Sequence, residues 1–78
     1  MVDNWILLID PFKNILDAYR MVLEQERYLV ETSRNLDEAF RRFSMRQYSV
    51  IIMEYFSPLE DTYHLIQWVK QFRFTIVI

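Results

Sequence analysis

The run Trp5-Ile-Leu-Leu-Ile9 is apolar without interruption, and Asp10-Pro11 cuts it off. A strand with one face in water alternates polar and apolar residues. A continuous run is the pattern of a strand covered on both faces. Such strands belong to parallel sheets, whose neighbours must be joined by helical crossovers. The first nine residues therefore ask the rest of the chain for helices on two sides of a sheet.

The remaining sequence has that form. Phe12, Ile15, Leu16, Tyr19, Val22 and Leu23 recur at helical spacing, with Lys13, Asn14, Asp17, Arg20 and Glu24 as the polar face, and the helix ends near Gln25–Arg27. Tyr28 to Thr32 is a shorter and more polar run that fits an edge strand. Asn35 with Glu38 three residues on predicts an N-cap for a second helix. Leu36, Ala39, Phe40 and Phe43 form its buried stripe, and the pairs Asp37–Arg41 and Glu38–Arg42 sit at i,i+4 on its surface. That helix ends near Gln47. Tyr48 to Met53 is a second strongly apolar strand, expected beside the first. After the loop Ser57-Pro58-Leu59-Glu60-Asp61, Asp61 or Thr62 is positioned to cap a third helix with Leu65, Ile66, Val69 and Phe72 on its apolar face. Phe74 to Ile78 is a last β-branched run. The order β-α-β-α-β-α-β predicts a doubly wound parallel sheet in one domain spanning residues 1–78.

Composition narrows the chemistry. The 78 residues contain no cysteine, which excludes disulfides, thiolate metal sites and cysteine nucleophiles, and no glycine. Without glycine there is neither a P-loop, nor a dinucleotide fingerprint, nor a nucleophile elbow. A net charge of −2 gives no basic excess for nucleic acid. No apolar run reaches the ~18 residues of a membrane span, and Met1-Val-Asp-Asn-Trp5 lacks the basic start of a signal peptide. A cytoplasmic protein is the expectation. The hydrophobic share of 53% is high for so short a chain and hints at self-association.

One carboxylate stands where open α/β sheets place their chemistry, at the C-terminal end of a central strand. It is Glu54, closing Tyr48-Ser-Val-Ile-Ile-Met-Glu54 before Tyr55-Phe56-Ser57-Pro58. Together with Ile6-Leu-Leu-Ile-Asp10 and the stretch from Tyr28 to Ala39, this pattern resembles the receiver domains of response regulators over nearly the whole chain. The resemblance implies a flavodoxin-like sheet in the order 2-1-3-4 with three helices. The first helix would cover one face and the other two the opposite face. It also implies two-component signalling as the setting. Glu54 takes the place of the phosphoacceptor aspartate. Asp10 matches the first of two Mg²⁺-binding acids, Pro11 replaces the second, and the Phe56 carbonyl would be the third ligand. Thr62 stands where the family has a glycine. A full receiver continues with a further helix, strand and helix and carries a Ser or Thr and a Lys beyond the point where this sequence stops. The chain is thus expected to be a partial receiver, either as such or as the N-terminal part of a longer response regulator.

This reading argues against phosphoryl chemistry. Glutamate sets its oxygens ~1–1.5 Å further out than aspartate, and misplacement of that order costs roughly 100-fold in rate. A weak Mg²⁺ site at Asp10 and Glu54 stays open, as does a partial phosphomimetic role for Glu54. A small Mg²⁺-dependent phosphotransfer enzyme is the remaining alternative. Plainer readings stand beside these. Asp10-Pro11 has the form of an N-cap followed by Pro at N1. Glu54 reads equally as a solvated strand end, His64 as a residue on an exposed helix face, and Trp5 and Trp68 as packing residues. Tyr48, Tyr55, Phe56 and Tyr63 could surround the Glu54 loop as a contact surface or a core lid. The expected function is a non-phosphorylatable interaction module. It would use no resident cofactor and bind a protein partner, by self-association through the uncovered sheet face or the Phe74–Ile78 edge.

Overall fold

The computed structural model describes residues 5–54, 59–70 and 75–77. Along the chain run β1 (Trp5–Ile9), α1 (Lys13–Gln25), β2 (Leu29–Ser33), α2 (Leu36–Met45), β3 (Val50–Met53), α3 (Leu59–Lys70) and β4 (Thr75–Val77). The fold is a small α/β arrangement of three helices on a parallel sheet. β1 lies between β2 and β3 and pairs with both in parallel, Ile6 opposite Val30 and Val50, Leu8 opposite Thr32 and Ile52. Ile6 to Ile9 are all buried, as the unbroken apolar run predicts for a strand covered twice.

The period of two sorts β1 between two cores. Leu7 and Ile9 join Ile51, Met53, Ala39, Leu65 and Ile66 under α2 and α3, with Phe40, Phe43 and Trp68 packed around them. Phe40 and Phe43 both meet the Trp68 ring edge-on, with centroids 5.1 and 5.4 Å away. On the other face Ile6 and Leu8 pack with Val30 and Leu16 under α1. α1 thus covers one face, and α2 and α3 the other, as expected. The covers are unequal. Leu16 is the one buried side chain of α1, while Phe12, Ile15, Tyr19 and Val22 of its apolar set lie exposed.

The helix ends follow local chemistry. Asn35 caps α2, its Oδ1 accepting the Glu38 N–H at 2.8 Å. α1 closes on a Schellman motif in which Arg27 N–H donates to the Glu24 carbonyl and Tyr28 N–H to the Leu23 carbonyl. Arg27 fills the left-handed position, at φ 67°, that glycine usually takes. Three expectations are corrected. The N-cap of α1 is Phe12, not Asp10. Asp10 sits two residues earlier, and its Oδ1 accepts the Phe12 N–H at 2.9 Å. α3 starts at Leu59, so Asp61 and Thr62 lie within its first turn and do not precede it. Among the described residues no ion pair joins Asp37 to Arg41, whereas Arg42 does reach Glu38 at 3.1 Å.

Because α1 is held by so little, truncating its anchor has a disproportionate effect. Leu16→Ala is expected to cost about 2–4 kcal/mol and to free α1 before the rest of the domain. Urea melts, together with amide exchange resolved by segment, check this. α1 amides that exchange no faster than those of α2 would contradict it.

Candidate functional site

Asp10 and Glu54 are the residues that follow the paired Ile9 and Met53, so their backbones lie roughly 5 Å apart at the C-terminal ends of neighbouring strands. The ladder holds both in place. Asp10 N–H donates to the Ser33 carbonyl at 3.1 Å and Glu54 N–H to the Ile9 carbonyl at 2.9 Å. Asp10 and Pro11 are half-buried and Glu54 is exposed. The two acids named from the sequence are thus neighbours at the strand ends. Phe56, the third element of the expected pocket, lies outside the described residues, as do Tyr55, Ser57 and Pro58.

The two carboxylates stand at one end of an open groove of about 400 Å³, whose walls include Phe12, Ile15, Leu16 and Tyr19 of α1 and Ile52 of β3. The groove follows from the unequal covers. α1 packs towards β2, and the sheet surface over β3 on that side is left shallow. As a cation site the acidic end is poor. One Asp10 oxygen already holds the Phe12 N–H, and Pro11 stands where a second acid would contribute. Mg²⁺ requires near-ideal octahedral oxygen geometry. Among the described residues no three His, Asp or Glu side chains converge.

Two aromatic expectations resolve differently. Tyr63 is exposed on α3, whereas Tyr48 is nowhere near Glu54. It is buried in the core under α2 and α3, just before β3, with its ring edge-on to Phe43 at 5.6 Å. Its hydroxyl donates to Glu31 Oε1 at 3.0 Å. Around Glu31 sits a polar cluster that motif reading missed. Arg42 donates to Glu31 Oε2 at 2.7 Å and to the Thr32 carbonyl at 2.8 Å, Arg46 pairs with Glu31 Oε1, and the Arg46 guanidinium lies 3.7 Å from the centre of the Trp5 ring. Among the described residues no buried side-chain nitrogen or oxygen lacks a partner. The available signal was weak, a lone Glu in a mixed edge strand followed by a helix with several arginines. His64 is exposed, in accord with its plain reading.

No protein-family model, no curated protein and no solved structure matches the chain. The functional reading therefore rests on the residues themselves. Among the described residues no helix is long and apolar enough to cross a membrane.

Burial first, and then the hydrogen bond to the Glu31 carboxylate, push the Tyr48 phenol well above its ordinary 10.0. A phenol that holds its proton more tightly when folded contributes stability that is complete below the unfolded value. That contribution is lost as pH rises above 10. Tyrosinate absorbance should therefore show Tyr48 titrating only with unfolding, and Tyr48→Phe should flatten stability against pH in that range. Glu31→Gln leaves two arginines short of their charge and is expected to cost about 1–3 kcal/mol. A denaturant midpoint unchanged by that substitution would remove the cluster from the account of stability.

Proposed function

We propose that the chain is a receiver-like protein–protein interaction module of two-component signalling that does not accept a phosphoryl group. The observation that carries this reading is the groove beside α1. It is an apolar surface on one face of a parallel sheet, open at the strand ends where receivers of this general pattern do their chemistry. Two of its features favour binding over catalysis. Asp10 is committed to the turn into α1, and Pro11 supplies no second carboxylate. Large exposed apolar side chains line the same wall, as in surfaces that meet other proteins.

The finer fold belongs to the same proposal. β4 extends the sheet beside β3, with Val50, Ile51 and Ile52 in parallel register with Thr75, Ile76 and Val77. That register supports a flavodoxin-like order of β2-β1-β3-β4. The reading applies equally to the chain by itself and to the chain as the N-terminal part of a longer response regulator. Glu54 then serves as a fixed negative charge beside the binding surface. The partner is a protein, and a second copy of the chain is the simplest one.

Phosphoryl inertness is directly testable. After incubation with a small acyl phosphate donor and Mg²⁺, the intact mass should be unchanged. Glu54→Asp alone should not create a stable acceptor, because position 11 remains proline. A phosphoryl adduct on Glu54 or Asp10 of the unaltered chain would replace the binding reading with a phosphotransfer one.

A further inference from the structure

We infer that Arg42 is a strap that closes the free edge of β2 against strand pairing, with Glu31 as its anchor. The inference is independent of the phosphoryl reading and concerns a different surface from the groove.

β2 pairs with β1 and with no other strand among the described residues. Its five residues, Leu29-Val-Glu-Thr-Ser33, include no proline or lysine, the residues that commonly blunt an edge. Tyr28 and Leu29 are exposed beside it. An edge with free backbone groups and apolar side chains is a template for another strand.

The ladder shows which groups are free. Asp10 N–H donates to the Ser33 carbonyl at 3.1 Å, so Ser33 faces β1. The direction of hydrogen bonding alternates along a strand, so Glu31 and Leu29 face β1 as well. Val30 and Thr32 therefore turn their N–H and C=O groups outward. One of those outward groups is the Thr32 carbonyl, and Arg42 Nε donates to it at 2.8 Å. A new strand beside β2 needs that carbonyl and the space the guanidinium fills.

Three contacts hold the strap. Beyond the Thr32 carbonyl, the two terminal nitrogens of Arg42 reach Glu31 Oε2 at 2.7 Å and Glu38 Oε1 at 3.1 Å. Each nitrogen of the planar fork thus has an acceptor. Glu31 pairs across the ladder with Leu7 and shares its face, so it is a charge on the core side of an edge strand. Such inward charges themselves disfavour pairing. The Glu31 side chain is only 19% exposed. Displacing Arg42 takes one of two arginine partners from a carboxylate with little access to water, which sets a cost on strand addition. A symmetric antiparallel pairing of two β2 edges centred on Glu31 also sets two carboxylates opposite each other, an unfavourable cross-strand pair.

Residue-by-residue amide exchange at low and high protein concentration tests this, with sedimentation alongside. In the unaltered chain the Val30 and Thr32 amides are expected to exchange at rates independent of concentration. Arg42→Ala frees the Thr32 carbonyl while Glu31 keeps Arg46 and Tyr48. That variant should associate, and its Val30 and Thr32 amides should slow about tenfold or more in the concentrated sample. Arg42→Met keeps the side-chain stem without its donors. It should behave alike, and it decides the matter should the smaller residue loosen α2. Adding Thr32→Pro removes an outward N–H without touching the β1 ladder, and should return Val30 to concentration-independent exchange. Folded Arg42 variants with no concentration-dependent slowing would overturn the inference. So would slowing of these two amides in the unaltered chain. Leu16→Ala loosens α1 and leaves the strap in place, so slowing there would trace the association to instability and overturn the role of Arg42.

Discussion

Everything in this domain depends on burying β1 from both sides at once. Four consecutive apolar residues, Ile6 to Ile9, cannot be satisfied by one helix layer, since alternate side chains point to opposite faces. The parallel pairing with β2 and β3 fixes which residues share a face. The core then divides into a thick half, roofed by α2 and α3, and a thin half roofed by α1. Completing one layer at the expense of the other leaves the thin side with the groove and the thick side with most of the rigidity.

The thick side is also where polar groups are used to fix geometry. Glu31 extends from the edge strand to gather Arg42, Arg46 and the Tyr48 hydroxyl, and Arg42 continues to the β2 backbone and to Glu38. The cluster ties α2 to β2 and to the segment that leads into β3. Ion pairs of this partly exposed kind add little net stability, but every member has a partner. The groove and its acidic end therefore sit on a sheet whose other face is tied by these contacts to α2.

The element order was legible because it is written in periodicity, which is a local property. β1, α1 and the Asn35-capped α2 were placed from period and cap alone, and the division of the helices between faces came from the family resemblance. The end of α1 was legible only approximately, since its stop signal is an arginine where a glycine would have announced it. The association of Asp10 with Glu54 came from the family resemblance, and the strand register sets the two side by side. What was not legible depends on tertiary distance. Asp10-Pro11 has the composition of an N-cap, yet the helix starts later and Asp10 braces the turn from outside it. Tyr48 belongs by sequence to the run that ends in Glu54, but it lies at the far end of that run, so it joins the Glu31 cluster. Glu31 itself carries no motif, and its partners are eleven and more residues away along the chain. The exposure of half the α1 stripe is invisible to periodicity, which marks apolar residues without saying how many a neighbour will cover.

The left-handed turn at Arg27 bears on the state the protein leaves when it folds. A chain with no glycine has few residues that roam the positive-φ half of conformational space, so its unfolded ensemble is narrower than that of an average sequence. Less backbone entropy is then surrendered per residue on folding, which helps a domain too small to bury much surface. The same choice requires each left-handed position to be held by a residue that resists it, at a local cost of about 1–2 kcal/mol. Among the described residues that requirement arises once, at the end of α1. The helix with the thinnest cover also carries the backbone strain, so thermal opening of the fold is set to begin there, at the helix the groove is built on.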